Sequence, residues 1–336
     1  MTQSKYLFPM QLLDVIHMCK TAVFFGDELA GYSFGSAHPF NSNRIYAFWS
    51  KFCALNLDKS NQIRIERPAI VQEELLLRFH DNEYVDLVKK SSKLGTGLLD
   101  LGDTPAFKGV FEAASYVVGT SLKALELVME KRDGILHAFN PIGGLHHSRR
   151  GSAGGFCVFN DIGIVSLIAR EKYGIEKIAY VDIDAHHGDG VFYEFEGDRA
   201  LFIADTHEDG HYLYPGTGKE SENGLGDAKG TKLNIPLKPN SKDNDFFRAF
   251  KRIEEFVDNI AKPELIIFQC GADCLDGDPL THLRYTSEVH RFASEILHEL
   301  SHKHSNGRII ALGGGGYNPV NVANAWTEVI GSFISG

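Results

Sequence analysis

The amino-acid sequence predicts an α/β fold, in which one parallel sheet is flanked by helices on both faces. Short runs of aliphatic and β-branched residues alternate with helix-length segments that carry apolar residues at 3.6-residue spacing. Nearly every apolar run leads into Gly, Asp or His. Such alternation is typical of parallel sheets, which are buried on both faces and bind ligands beyond the carboxyl ends of their strands.

Six strands and five helices are predicted in chain order. The strands are short apolar runs bounded by turn-forming residues, and they span residues 22–26, 134–139, 177–184, 200–204, 264–269 and 308–312. The helices follow from the spacing of their apolar residues, and they span residues 111–131, 161–173, 244–260, 287–304 and 318–334. The polar or glycine-containing segments 27–43, 91–108 and 208–232 are predicted to be long loops.

A single domain is predicted because the chain has no internal repeat, low-complexity tract or Pro- and Ser-rich linker. We assign this domain to residues 21–336. Asp14 and His17 interrupt the apolar residues near the start of the chain, which makes this segment a poor signal peptide. Residues 1–20 are therefore predicted to be an extension that forms a short helix packed on the domain.

The composition narrows the classes of function. Of the 336 residues, 43% are hydrophobic and 23% are charged, which is ordinary for a soluble globular protein. The formal net charge of -10 argues against nucleic acid as a direct partner. Five cysteines without a C-x-x-C pair indicate a reduced environment, and we predict the cytoplasm. No apolar run approaches the ~18 residues that cross a bilayer, so no membrane association is expected.

Four predicted strand ends carry most of the residues that could do chemistry. They are Gly143-Gly144-Leu145-His146-His147, the run from Asp182 to Asp189, Gly271-Ala272-Asp273, and Gly313-Gly314-Gly315-Gly316-Tyr317. The carboxyl ends of parallel strands meet at one edge of a sheet, so these four segments are expected to converge there.

The carboxylates at this edge predict a metal site. Two carboxylates about 4 Å apart repel by about 4 kcal/mol at an effective dielectric constant of 20, so a cation between them is expected. Asp184 and His186 are two residues apart, and in an extended chain their side chains point the same way. Asp273 can supply a third ligand from a neighbouring strand. Three protein ligands with one open position are typical of catalytic rather than structural zinc sites.

The neighbouring residues fit hydrolysis assisted by that metal. His146 and His147 are candidate bases, oriented by Asp182 and Asp189 respectively. The Tyr317 hydroxyl could stabilise an oxyanion opposite the metal. Each motif alone has an ordinary explanation, since a His-His pair is usually structural and four glycines often form only a turn. Their occurrence together indicates hydrolysis of an amide or ester.

The ordered motif set resembles that of zinc-dependent histone deacetylases. The motifs are GGLHH, GGFCVFND, YVDIDAHHGDG, YPGTG, QCGAD, GDP and LGGGGY. The resemblance covers about residues 20–330. It is strongest to the class I branch and its prokaryotic relatives, the acetoin-utilisation deacetylases, and HPFNSNR at residues 38–44 resembles the bacterial branch. It implies the arginase/deacetylase fold, with an eight-stranded parallel sheet and the active site at the strand ends.

The resemblance also implies a role for each matching residue. Zn²⁺ would be held by Asp184, His186 and Asp273, although these ligand types also accept Fe²⁺. His147 would be the general base and acid, His146 its electrostatic partner, and Tyr317 the group that polarises the carbonyl. The implied substrate-binding residues are Asp103, Gly155, Phe156, Tyr214 and Leu280. Arg44 would lie beside an acetate-exit channel, and a structural K⁺ would lie near Asp182, Asp184, His186, Asp205 and Thr206.

The implied reaction is removal of acetyl or other acyl groups from Nε-acyl-lysine of proteins, with release of acetate. The alternative substrate is an acetylpolyamine or another small acyl amide. Leu280 matches the apolar position of lysine deacetylases, whereas Asp103 and the negative net charge are compatible with a cationic polyamine. Tyr214 replaces the usual Phe, and Asp205 replaces a serine that usually helps to bind potassium.

Two further alternatives were weighed from the residues. An arginase-like enzyme with two metal ions would need another carboxylate two residues after His186, where Gly188 stands. A catalytically silent protein that only binds acyl-lysine would be expected to lack Tyr317 or a metal ligand, and neither is missing.

Overall fold

The computed structural model describes residues 19–335, and its framework is one sheet of eight parallel strands. The strands are β1 (Lys20–Phe24), β2 (Ile63–Glu66), β3 (Ile135–Asn140), β4 (Ile178–Asp182), β5 (Leu201–Glu208), β6 (Lys232–Leu237), β7 (Leu265–Gln269) and β8 (Ile309–Leu312). Their spatial order is β2-β1-β3-β8-β7-β4-β5-β6. The predicted parallel sheet with helices on both faces is confirmed.

Ten α-helices are found within residues 19–335. They are α1 (Asp27–Ala30), α2 (Asn43–Ala54), α3 (Glu73–Leu76), α4 (Asn82–Leu94), α5 (Val110–Glu130), α6 (Asp161–Tyr173), α7 (Asp189–Glu194), α8 (Asp243–Glu255), α9 (Glu288–His304) and α10 (Pro319–Ser335). A π-helical segment, Phe256–Ala261, continues α8. In this part of the chain, no helix combines the length and the apolar character needed to cross a membrane.

The sheet separates two hydrophobic cores because successive side chains of a strand point to opposite faces. In β4, Ile178 and Tyr180 belong to the core covered by α4, α5 and α6, whereas Ala179 and Val181 belong to the core covered by α2, α8, α9 and α10. The strand is therefore apolar throughout, and all five of its residues are buried.

The two strands that the sequence pattern missed are the edges of the sheet. β2 is short and only partly buried, and β6 contains Pro236. An edge strand is exposed on one side and tolerates proline, so its sequence lacks the continuous apolar run that marked the inner strands. Helices α2 and α4 and the short helices α1, α3 and α7 were also missed, although the segments predicted as helices overlap α5, α6, α8, α9 and α10.

Three predictions of local structure need correction or fall outside the described chain. Strand β4 ends at Asp182, and the chain bends at residues 184–186 instead of continuing the predicted strand to Asp184. The predicted helix 244–260 is α-helical only to Glu255. Most of the N-terminal extension predicted for residues 1–20 lies outside the described residues, although Lys20 already belongs to β1. The division into residues 1–20 and 21–336 stays a prediction.

Candidate active site

The four predicted strand ends converge at one edge of the sheet. β3 leads to the loop with His146 and His147, β4 leads to Asp184, β7 leads to Asp273, and β8 leads to Tyr317. Inner strands β3, β8, β7 and β4 are consecutive neighbours in the sheet, so their ends are adjacent although the segments are far apart in the chain.

Asp184, His186 and Asp273 form a cluster that could hold a metal ion. One ligand atom from each residue lies within 4.8 Å of the other two. Nδ1 of His186 lies 3.1 Å from Oδ1 of Asp184 and 3.0 Å from Oδ2 of Asp273. All three side chains are buried. Two buried carboxylates at this separation need a proton or a cation between them.

The electrostatics of the cluster also favour a cation. Burial and the charge of Asp184 raise the pKa of Asp273 to about 7. A divalent ion would remove this penalty, because it stabilises both carboxylates in their charged form. Two carboxylates and one imidazole are a donor set that zinc accepts. The residues present therefore fit the metal ion that the sequence predicted.

Glycines in the flanking loops make room for these carboxylates. A Cβ atom at Gly271 would lie 2.1 Å from Oδ2 of Asp184, and one at Gly315 would lie 2.2 Å from Oδ2 of Asp273. The backbone N–H of Gly315 donates a hydrogen bond of 2.8 Å to Oδ2 of Asp184. Any larger residue at these two positions would displace a candidate metal ligand.

Two histidine–aspartate pairs lie beside the cluster. Nδ1 of His146 lies 2.8 Å from Oδ2 of Asp182, and Nδ1 of His147 lies 2.7 Å from Oδ1 of Asp189. The two imidazoles face each other, with 3.1 Å between their Nε2 atoms. The predicted pairing of these four residues is therefore present in the structure, while their catalytic roles stay predictions.

The environments of the two histidines push their pKa values apart. Burial alone would lower the pKa of His146, but Asp182 and Asp184 outweigh it and raise this pKa to about 9. Burial and the adjacent His146 lower the pKa of His147 to about 4. At neutral pH, His146 is therefore the charged member of the pair and His147 the neutral one, which is the state required of a general base.

A cavity of about 210 Å³ leads to this centre. Its lining contains three of the candidate metal and catalytic residues, His147, His186 and Tyr317. The lining also contains all five residues predicted to bind substrate, which are Asp103, Gly155, Phe156, Tyr214 and Leu280. Leu213 lines it too and was not predicted.

The aromatic side chains of the cavity are packed edge to face. The Phe156 and Tyr317 rings lie 5.7 Å apart at 85°, and the His147 and Tyr214 rings lie 5.1 Å apart at 73°. Phe156 is buried, whereas Tyr214 is 48% exposed and therefore lies near the mouth of the cavity. Gly155 is required for this packing, because a Cβ atom there would lie 2.3 Å from Cδ2 of His147.

Arg44 lies behind Tyr317 and does not line the cavity. Its guanidinium is fully buried, 4.0 Å from the centre of the Phe40 ring and 5.8 Å from that of Tyr317. Its Nε donates to the carbonyl of Gly316 at 2.6 Å. Nη1 is buried and has no hydrogen-bond partner among residues 19–335. A buried cation with an unused donor can pair with a small anion.

Asp205 and Thr206 lie in β5, next to Asp182 of β4. Asp205 and Asp182 are direct partners in the parallel pairing of these strands. Oδ1 of Asp205 lies 2.6 Å from Nδ1 of His207, and Oδ2 accepts a 2.9 Å hydrogen bond from the N–H of Gly188. The carboxylate of Asp205 is thus held by His207, which was not among the predicted site residues.

Three residues that hydrogen-bond to the predicted site residues were not themselves predicted. Nε2 of Gln269 donates to Oδ2 of Asp184 at 2.8 Å, and Arg149 donates to Oδ2 of Asp189 at 2.8 Å. Asp278 accepts a 2.7 Å hydrogen bond from the N–H of Tyr317. Gln269 and Asp278 lie within the motifs QCGAD and GDP, so their position there was the available signal.

Comparisons with known proteins agree with this arrangement. The family described as "Histone deacetylase domain" matches residues 38–333. The acetoin utilization protein AcuC of Bacillus subtilis (strain 168) is 38% identical over 309 residues, which cover 89% of this chain and 78% of that protein. The AcuC protein of Staphylococcus aureus (strain MRSA252) is 34% identical over 327 residues, covering 95% of this chain and 82% of that protein.

A solved structure shows the same architecture. The crystal structure of the HDA15 HD domain superimposes with a TM-score of 0.85 at 25% sequence identity, covering 94% of this chain and 90% of that one. Together with the match over residues 38–333, this confirms the resemblance drawn from the motifs. The chain belongs to the histone deacetylase family, whose members are generally metal-dependent, and it is a hydrolase of the deacetylase type.

Proposed function

We propose that this protein removes acetyl and related acyl groups from Nε-acyl-lysine side chains of proteins, with Zn²⁺ held by Asp184, His186 and Asp273. The observation that carries the proposal is the 210 Å³ cavity. Its lining combines the aromatic rings of Phe156 and Tyr214 with the polar groups of His147, His186 and Tyr317. An acyl-lysine side chain has the matching pattern, since its methylene groups are apolar and only its terminal amide is polar.

The residues divide the work of amide hydrolysis between them. A divalent ion held by the cluster would supply Lewis-acid polarisation of the amide carbonyl and of a water molecule. Neutral His147 would accept a proton at Nε2 from the attacking water and later deliver it to the departing lysine nitrogen. His146, charged and fixed by Asp182, would stabilise the negative charge that develops nearby.

Tyr317 is proposed to donate its hydroxyl hydrogen to the oxygen of the tetrahedral intermediate. Its ring lines the cavity, and the side chain makes no hydrogen bond to another group of residues 19–335. Burial and the carboxylates of Asp273 and Asp184 raise the pKa of Tyr317, so the phenol keeps its hydrogen at neutral pH. A hydroxyl of this kind can act as an oxyanion-hole donor.

The carboxylates at the mouth of the cavity are compatible with a second candidate substrate, a small cationic amide. Asp103 is exposed at the mouth, and partial burial of its carboxylate together with the charge of Asp100 raises its pKa. These carboxylates could hold either the backbone of an acyl-lysine peptide or the free amine of an acetylpolyamine. Leu280, 37% exposed at the same mouth, favours the peptide because it offers the free amine no charge.

Potassium binding and acetate release are proposed as further features. A structural K⁺ near Asp182, Asp205 and Thr206, with backbone oxygens of Asp184 and His186, would be checked by comparing the melting temperature of the protein in KCl and in tetramethylammonium chloride. A higher melting temperature in KCl supports the ion.

The unused donor of Arg44 supports an acetate path behind Tyr317. Zinc in preference to iron, and a cytoplasmic location, also stay predictions.

The test is release of acetate from an acetyl-lysine peptide and from N-acetylputrescine by zinc-loaded protein. We expect a higher kcat/KM for the peptide and losses of at least about 100-fold in Tyr317→Phe and His147→Ala. Tyr212→Phe is the matched control, since Tyr212 is 60% exposed and does not line the cavity. Full activity in the Tyr317 and His147 variants would refute the assigned roles, and a preference for acetylputrescine would favour the second substrate.

A further inference from the structure

A second group of histidines lies at the opposite end of the sheet from the candidate active site. His137 is in β3, while His298 and His302 lie one turn apart in α9. In the sheet, His137 pairs with Ile309, the first residue of β8, whereas the active-site loop follows the last residue of that strand. One nitrogen from each of the three imidazoles lies within 4.8 Å of the other two.

The three rings pack against one another. Nε2 of His298 lies 3.1 Å from Nε2 of His302. The ring of His137 lies 4.7 Å from that of His298 and 5.5 Å from that of His302, each at a steep angle. His137 and His298 are buried, whereas His302 is only partly buried and so is the most accessible of the three to solvent.

One nitrogen in this group has no partner. Nδ1 of His137 lies 3.4 Å from Oγ1 of Thr21, but its Nε2 is buried without a hydrogen-bond partner among residues 19–335. His137 itself is fully buried. Buried polar nitrogens are almost always satisfied in folded proteins, so this atom points to a missing ligand.

The imidazoles are also in the protonation state that binds metal ions. Burial lowers the pKa of His137, and the neighbouring His298 and His302 lower it further. Burial lowers the pKa of His298 to about 4 and lowers that of His302 as well. These shifts favour the neutral ring, which is the form in which imidazole binds metal ions.

We propose that His137, His298 and His302 bind a divalent transition-metal ion, best fitted by zinc, which cross-links β3 to α9. Zinc–nitrogen bonds of about 2.0–2.1 Å in a tetrahedron place the nitrogens about 3.3 Å apart. Nε2 of His298 and Nε2 of His302 are 3.1 Å apart, which is close to this separation. A set of three imidazoles excludes Mg²⁺ and Ca²⁺, which prefer oxygen ligands.

The fourth position of this site would face solvent beside His302 and hold water. The ion would stabilise the folded state, because binding needs both a strand and a helix in place. It lies outside the catalytic machinery, so the proposal is independent of the proposed function.

The test counts metal ions in protein whose active-site cluster has been disabled. Purified Asp273→Asn and Asp273→Asn/His302→Gln proteins are dialysed against zinc and their metal content is measured. We expect one zinc per chain in the first, with a raised melting temperature, and none in the second. His304→Gln in the Asp273→Asn background is the matched control, because His304 is on the same helix but pairs with Asp258. This control protein should still bind one zinc per chain.

Absence of zinc from Asp273→Asn, or zinc that persists after His302→Gln, would overturn the proposal. If the doubly substituted protein does not fold, the ligands are identified directly by X-ray absorption of zinc in Asp273→Asn. Three imidazole ligands support the site, and a shell dominated by carboxylate oxygens overturns it.

Discussion

Nε2 of His146 lies 3.1 Å from Nε2 of His147, so a positive charge on one ring disfavours a positive charge on the other. Asp182 stabilises the charged form of His146, which leaves the lone pair on His147. Asp189 fixes that state, because it accepts the hydrogen on Nδ1 of His147.

Replacing Asp189 by Asn is predicted to lower kcat by about 10²–10⁴-fold. The amide can donate to Nδ1 of His147 and so favour the ring form that carries its hydrogen on Nε2, which cannot accept a proton. Steady-state assays of acetyl-lysine peptide give kcat. Arg149→Met is the control, since it removes the contact to the other oxygen of Asp189 but leaves that to His147. Equal effects of the two substitutions would contradict the orienting role.

Replacing Gly315 by Ala is predicted to weaken zinc binding by about 10–100-fold. The new Cβ atom would lie 2.2 Å from Oδ2 of Asp273 and 2.7 Å from Oδ2 of Asp184. Affinity is measured by competition with a chelator. Gly331→Ala in α10 is the matched control, because nothing lies within 4 Å of its added Cβ atom. Unchanged affinity in Gly315→Ala would show that these carboxylates do not hold the metal.

Replacing Leu280 by Glu is predicted to raise kcat/KM for N-acetylputrescine about fivefold relative to the acetyl-lysine peptide. A carboxylate at the half-exposed mouth would attract the free amine by about 1 kcal/mol. Leu225→Glu adds the same charge on a side chain that is 59% exposed and does not line the cavity. The prediction fails if both variants change the ratio equally.

Acid is predicted to destabilise the fold through His80. Its Nε2 accepts a 2.9 Å hydrogen bond from the N–H of Asn160, which requires the neutral ring, and burial lowers its pKa from 6.5 to about 4. Between these values the unfolded chain binds a proton that the folded one does not. The free energy of unfolding therefore falls as pH falls through this window, by about 2 kcal/mol between pH 7 and pH 5.

Urea unfolding of His80→Gln at pH 7 and pH 5 checks this contribution. At pH 7 the variant should be less stable than the unsubstituted protein. Between pH 7 and pH 5, its free energy of unfolding should fall by about 2 kcal/mol less than that of the unsubstituted protein. His211→Gln, at an exposed position, is the control. An identical pH dependence in His80→Gln would rule out this assignment.

The inner part of the sheet could be predicted because burial on both faces demands continuous apolar sequence. β4 and β7 are buried at every residue, and the apolar run in each sequence was enough to predict the strand. The edge strands β2 and β6 need apolar side chains on fewer positions, so the same pattern does not detect them. Their pairing depends on neighbouring strands, which sequence spacing alone does not reveal.

The candidate metal cluster could be predicted from motif spacing, but its geometry could not. The extended chain expected from Asp184 to His186 is instead a bend. The hydrogen bond from Gln269 to Asp184 depends on the parallel register that aligns Gln269 with Asp182. Such contacts are set by the assembled sheet, and no local pattern encodes them.

His186 and Asp273 are 87 residues apart in the chain, and each follows a different inner strand. Their meeting requires β4 and β7 to be paired already, so the unfolded polypeptide has no comparable affinity for the ion. Metal uptake is therefore a step that follows assembly of the sheet rather than one that guides it. We therefore expect the protein to accumulate as a folded apoenzyme, with the supply of metal determining how much of it becomes active.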